Sequence, residues 1–181
     1  MKTIPGASRA DIQPLETRWK GFRFRSRLEG RFAVFFSTLG LRFEYEPEGF
    51  DLGSAGRYLP DFYLPDVRWF AEVKPSTFLT AEEDKVAAFV AVTRKNLLML
   101  DGPPGYHPYP GLVPADTGSG IVAEPHQWSL DIHRHRYAYL ERRLWGDPDM
   151  AGATTEDLAI PLFSIKYQAA VNASRAERFG T

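Results

Sequence analysis

Apolar positions along this chain recur at spacings that separate helices from strands. Between residues 26 and 39, Leu28, Phe32, Phe35, Phe36 and Leu39 stand at i, i+4, i+7, i+8 and i+11. That single apolar stripe predicts a helix, and Gly40 supplies its stop. The next stretch, LRFEYEPEGFDLG, predicts short strand pieces broken by Pro47 and Gly49. Residues 58–64 (YLPDFYL) and 68–74 (RWFAEVK) are dense in aromatic and apolar side chains and flank the turn-type pair Pro65–Asp66, which predicts a β-hairpin. A second helix follows over 80–94. Thr80 and Glu83 match a capping box, and Val86, Phe89 and Val90 form its apolar stripe. The continuous apolar run at 96–100 (NLLML) then reads as a buried strand, parallel to its predecessor. Residues 26–101 therefore read α-β-β-β-α-β.

The rest is less periodic. Residues 101–120 are dense in Pro and Gly and predict a long loop. Residues 121–145 fit one or two strands or a short helix. Residues 164–179 predict a closing helix with Ile165, Ala169 and Asn172 on one side. The chain of 181 residues suits a single α/β domain: a core over about 20–101, a loop-rich excursion over 102–163 and the closing helix.

Composition narrows the function. An apolar fraction of 44% supports a packed core. The absence of cysteine excludes disulfides, thiolate zinc sites, iron–sulfur clusters and a cysteine nucleophile, and it fits a reducing, cytoplasmic setting. No run approaches the ~20 apolar residues of a membrane helix, and the N-terminal segment lacks the apolar stretch of a signal peptide, so no membrane partner is expected. The net charge is −1, yet residues 18–31 (RWKGFRFRSRLEGR) carry six Lys/Arg against one acid. Trp19, Phe22 and Phe24 interleave these cations. Core packing is the expected role of at least two of the three rings, with base stacking the alternative.

Strand alternation places Phe70, Glu72 and Lys74 on one face and Trp69, Ala71 and Val73 on the other. A turn centred between Asp66 and Val67 puts Asp61 opposite Glu72. Facing carboxylates destabilise a strand pair by about 0.2–1 kcal/mol, so the fold alone does not ask for them. A divalent cation between them accounts for the pair, since Mg²⁺ takes one or two carboxylates plus water and phosphate oxygens. Lys74 beside such a site can orient an attacking water and stabilise developing charge on a phosphodiester.

Pro60–Asp61 followed by Glu72–Val73–Lys74 resembles the PD-(D/E)XK nuclease superfamily. The stretch FRSRLE…FF…LG…YEPEGF…YLPDF…EVKP, over roughly residues 20–100, looks like small phage and bacterial nuclease-like proteins of that group. The resemblance implies a restriction-endonuclease-like αβββαβ core with a mixed sheet flanked by helices. It implies Mg²⁺-dependent DNA cleavage, with Mn²⁺ as a substitute. The implied ligands are Asp61, Glu72 and the Val73 backbone carbonyl, with Glu29 matching the family's helix acid and Lys74 serving the water. It further implies DNA as the partner and action as a homodimer or within a larger complex; with Glu29 at the site, Arg23, Arg25, Arg27 and Arg31 lie near it and can neutralise phosphates. Cutting would be structure-specific or partner-directed, because so short a chain leaves little room for a sequence-reading domain. The alternative is a catalytically silent nuclease-fold protein that binds DNA or assists assembly in a phage or mobile element.

Several residues have plainer readings. Ser26-x-x-Glu29 is itself a capping box, so Glu29 has a structural role available. Pro60 argues for a strand start, edge or bulge. Glu46 and Glu48 read as solvated loop acids, and Ser76 and Thr77 as the start of a loop. His126, His133 and His135 fit no standard zinc spacing, and Arg134, Arg136, Arg142 and Arg143 read as a solvated basic stretch.

Overall fold

The computed structural model describes residues 15–76, 80–133, 137–143 and 164–179. Thr77, Arg134, His135 and Arg136 lie outside the described residues. The side chains of His133, Arg142 and Arg143 are likewise outside the description.

The fold is mixed α/β. A small hairpin, β1 (Thr17–Trp19) and β2 (Phe22–Phe24), leads into helix α1 (Arg27–Leu39). Next come β3 (Glu44–Tyr45), a ribbon of β4 (Phe50–Asp51) and β5 (Arg57–Tyr58), and the hairpin of β6 (Phe62–Leu64) and β7 (Trp69–Lys74). Helix α2 (Thr80–Thr93) crosses over to β8 (Leu97–Asp101), which runs parallel to β7. Strands β9 (Tyr109–Asp116), β10 (Ile121–His133) and β11 (Tyr137–Arg143) extend the sheet antiparallel, and α3 (Ile165–Ala176) follows. The main sheet has seven strands in the order β11-β10-β9-β8-β7-β6-β3.

The α-β-β-β-α-β order expected for residues 26–101 forms, with the β4–β5 ribbon added. Alternation along β7 splits its side chains between two cores. Trp69, Ala71 and Val73 join Phe32, Phe35 and Phe36 of α1 and Tyr167, Ala170 and Val171 of α3. Phe70 joins Val86, Phe89 and Val90 of α2 on the opposite face. Ser26 caps α1, its Oγ accepting the Glu29 N–H at 3.2 Å, and Gly40 ends the helix in the left-handed conformation at φ 86°. Among the described residues no helix is long and apolar enough to cross a membrane.

Four expectations need correcting. The segment 101–120 is not all loop, because 109–116 is strand β9. Its prolines disguise it: β8 pairs only with Gly111 and Leu112, so Pro114 stands where β9 has β10 alone beside it. An edge-like stretch tolerates a missing N–H. With β10 and β11 following, the supposed excursion over 102–163 is in part an extension of the sheet. The run 58–64 is not one strand either, since Pro60 separates β5 from β6 and the two pair with different partners. Finally, α3 buries Tyr167, Ala170, Val171 and Ser174, while Ile165 is 84% exposed. The tyrosine sets the helix's rotation, because its hydroxyl bonds the Gly105 carbonyl at 2.8 Å beneath the helix.

Gly111 of β9 lies under the Trp69–Trp128 pair, whose rings meet edge-on at 4.7 Å. A Cβ there would stand 2.6 Å from Trp128 Cδ1 and 3.0 Å from Trp69. Gly111→Ala should therefore destabilise the protein by about 1–3 kcal/mol. For a chain of this size that lowers Tm by roughly 2–4 °C per kcal/mol. Thermal melting measures the loss, and the near-UV dichroism of the tryptophans should change with it.

Candidate active site

The β6–β7 register builds the site. Phe62 pairs with Ala71, so Asp61, one residue before β6, stands across from Glu72 as the turn geometry predicts. The Asp61 carboxylate does not hang free: its Oδ2 accepts the Val73 N–H at 2.8 Å. The Asp61 carbonyl accepts the Glu46 N–H at 2.8 Å, and Glu46 reaches that bond with φ at +46°. Both ends of Asp61 are thus held where Pro60 interrupts the strand.

Glu72 is buried, at 7% exposure, on the α2 face of β7. Tyr58, at the end of β5, donates its hydroxyl to Glu72 Oε2 at 2.7 Å. Lys74 Nζ lies 3.1 Å from Glu72 Oε1 and 3.3 Å from Glu82 Oε1, in the first turn of α2. Lys74 is the last residue of β7, so this cluster sits at the carboxyl end of a strand in a β-α-β crossover. Ligands of α/β sheets bind outside such ends. A cleft of about 240 Å³ opens here, lined by Arg25, Arg57, Tyr58, Glu72, Lys74, Glu82 and Lys85 among others.

Electrostatics follow from burial. Burial first, and then the Glu72 charge, drive the Asp61 carboxyl well above the usual carboxylate range; the Val73 N–H and Lys74 oppose this, and Glu29 adds to it. For Lys74, burial acts to lower the pKa, but Glu72 and then Glu82 outweigh it, so the ammonium is held above its ordinary value. Burial and the Glu72 charge push the Tyr58 hydroxyl far up, which keeps it a hydrogen-bond donor.

Glu29 answers to its own helix. Ser26 Oγ donates to its Oε1 at 2.7 Å, and the Arg25 N–H and the Tyr45 hydroxyl reach its Oε2 at 3.1 and 2.6 Å. The capping reading is realised, and Tyr45 adds a tether from β3. Among the described residues no three His, Cys, Asp or Glu side chains gather as a metal-holding group, so Glu29, Asp61 and Glu72 do not converge as a triad. Glu29 still raises the Asp61 carboxyl through its charge.

The four arginines separate. Arg25 pairs with Glu46 at 2.6 Å and lines the cleft. Arg23 pairs with Glu16 and lies on the β1–β2 hairpin. Arg27 is exposed at the start of α1. Arg31 is drawn away, its guanidinium donating to the Ser174 and Arg175 carbonyls at 2.6 and 3.0 Å. Sequence reasoning missed Tyr58, Arg57, Glu82 and Lys85. Glu82 carried one usable signal, since an acid in the first turn after a β-α crossover stands near the preceding strand's end.

The donor set suits a divalent cation of the Mg²⁺ type. Asp61, just before β6, and Glu72 of β7 are two carboxylate donors set across from each other. Compared with known proteins, the chain matches no family model and no curated protein. The functional reading therefore rests on the residues themselves.

The Asp61 carboxyl has a consequence for stability. Its folded pKa is raised to about 8 from 3.8, so between these values the folded state holds a proton that the unfolded state has lost. Stability must fall as pH rises through that window. Asp61→Asn keeps an acceptor for the Val73 N–H and removes the charge. At pH 8–9 in EDTA it should be more stable than wild type, on the order of 2 kcal/mol, with no difference near pH 4. Adding Mg²⁺ should stabilise the wild type more at pH 8 than at pH 6, because metal ligands must be deprotonated. Melting curves across pH, with and without Mg²⁺, measure both effects.

Proposed function

We propose that this protein is a Mg²⁺-dependent endonuclease that hydrolyses DNA phosphodiesters on a restriction-endonuclease-like core. The observation that carries this reading is Asp61 across from Glu72, with Lys74 bridged to Glu72, at the carboxyl end of β7. Two carboxylates and a lysine there serve no packing need, and they match the chemistry of phosphodiester hydrolysis. Asp61 and Glu72 would hold the cation, together with the carbonyl of Val73, the residue that follows Glu72. The bound ion supplies Lewis acidity and a more acidic water.

The chain's own residues do the rest. Lys74 is a fixed donor, held between Glu72 and Glu82, for the attacking water or the charge that develops on phosphate oxygens. Tyr58 keeps Glu72 oriented. Arg25, Arg57 and Lys85 line the cleft and are placed to neutralise backbone phosphates. No covalent enzyme intermediate is needed, since water is the nucleophile. Glu29 acts on Asp61 by charge. Cutting is structure-specific or directed by a partner protein or a second copy of the chain.

One observation favours a second reading, a silent DNA-binding or assembly protein. Glu29, the expected helix acid, has both oxygens committed to Arg25, Ser26 and Tyr45.

A cleavage assay separates the two. The protein is incubated with supercoiled, linear, branched and single-stranded DNA in Mg²⁺, Mn²⁺ or EDTA. Metal-dependent cutting is expected, with the rate reduced at least about 100-fold in folded Asp61→Ala and Lys74→Ala variants. Binding without cutting on every substrate supports the silent reading. Neither binding nor cutting overturns both.

A further inference from the structure

The β1–β2 hairpin carries features that the fold does not explain. Its register pairs Thr17 with Phe24, Arg18 with Arg23 and Trp19 with Phe22. One face therefore holds Thr17, Trp19, Phe22 and Phe24, and the other holds Arg18 opposite Arg23. The base is anchored, with Thr17 at 1% and Phe24 at 0% exposure. The tip is a two-residue turn with positive φ at both Lys20 (45°) and Gly21 (86°), the form that suits a tight, stiff hairpin.

Toward that tip the apolar face emerges from the core. Phe22 is 39% exposed. Its ring is backed by Phe24 at 5.8 Å, nearly parallel, and by Phe43 at 5.3 Å, so it is a firm platform with one side toward solvent. Lys20 places its ammonium over the Trp19 ring at 4.6 Å. On the other face two arginines oppose each other directly, an arrangement that destabilises an antiparallel pair. Glu16 offsets only Arg23, through an exposed ion pair of the kind worth little in water. A hollow of about 430 Å³ over the tip is lined by Arg18, Trp19, Lys20, Gly21, Phe22 and Arg23. Arg25, one residue past β2, pairs with Glu46 and lines the cleft beside Glu72 and Lys74, so the hairpin joins the site through the chain itself.

We propose that the β1–β2 hairpin is a binding finger for unpaired DNA: a strand passing round the tip stacks a base on Phe22 on one face, Lys20 takes a phosphate at the turn, and Arg18 and Arg23 take phosphates on the other face. Cations beside exposed rings are the pattern by which proteins hold single strands. The inference rests on the DNA-cleaving reading and names its substrate class, DNA with unpaired bases next to the cut. A branched or frayed end supplies such bases; an intact duplex does not.

The test uses the full chain in EDTA, where nothing is cut, and follows anisotropy of a labelled thymidine oligonucleotide and of a duplex of the same length. The single strand should bind more tightly. Phe22→Ala should weaken single-strand binding roughly tenfold or more, stacking on one ring being worth that much, and should leave duplex binding little changed. Phe22→Tyr, which keeps the ring, should bind like wild type. The double variant Arg18→Ala/Lys20→Ala touches no buried side chain, and should reduce the slope of log affinity against log salt by about 1.4 on single strands. Equal binding of both DNAs, or Phe22→Ala and the double variant both behaving as wild type, overturns the proposal. Because cutting is not read, a finger that binds in a protein that never cleaves sinks the nuclease reading alone, and cleavage with an inert finger sinks this inference alone.

Discussion

Two carboxylates that repel each other are held face to face, and much of the structure around them exists to keep them there. Asp61 is fixed by the Val73 N–H on its side chain and by the Glu46 N–H on its carbonyl. Glu72 is fixed by Tyr58 and Lys74. Neither can relax without breaking a bond to the backbone or leaving a buried polar group unmatched, which typically costs about 1–3 kcal/mol. Burial first, and the Glu72 charge second, are therefore answered by a raised Asp61 pKa rather than by movement.

Lys74 shows how the crossover shapes this site. A β-α-β unit brings the first turn of its helix close to the end of the strand it leaves. Here that geometry sets Glu82 beside Lys74, so the ammonium lies between two carboxylates, one from each element. With both partners in place the cation is confined to the mouth of the cleft, where it meets solvent and any arriving anion. Glu29 makes the complementary point: its neighbours have used up its oxygens, so its influence on Asp61 is exerted at a distance.

Much of this was readable in the residues. The stripe of Leu28, Phe32, Phe35, Phe36 and Leu39 located α1, and strand alternation told which side of β7 each residue would face. The turn at Pro65–Asp66 implied the register that sets Asp61 against Glu72. What escaped has physical causes. Pro110 and Pro114 hid β9, because proline argues against a strand unless one knows that β8 pairs with β9 only at Gly111 and Leu112. The face of α3 depends on a hydrogen bond from Tyr167 to a carbonyl 62 residues earlier, which no local period encodes. Tyr58 and Lys85 join the cleft only through the β4–β5 ribbon and the docking of α2, both of them tertiary events. Glu29 carried two readings in one motif, and only the position of Tyr45 shows how fully its oxygens are taken.

The union of α1 with α3 bears on the order in which the molecule can be made. Arg31 donates to carbonyls 143 and 144 residues later, and Phe35 packs against Tyr167 at 5.1 Å. Until translation has passed residue 176, the aromatic stripe of α1 has no helix to lie against on that side. Phe35 and the Arg31 guanidinium therefore find these partners only once α3 has been made, and the α1–α3 side of the core closes late in synthesis.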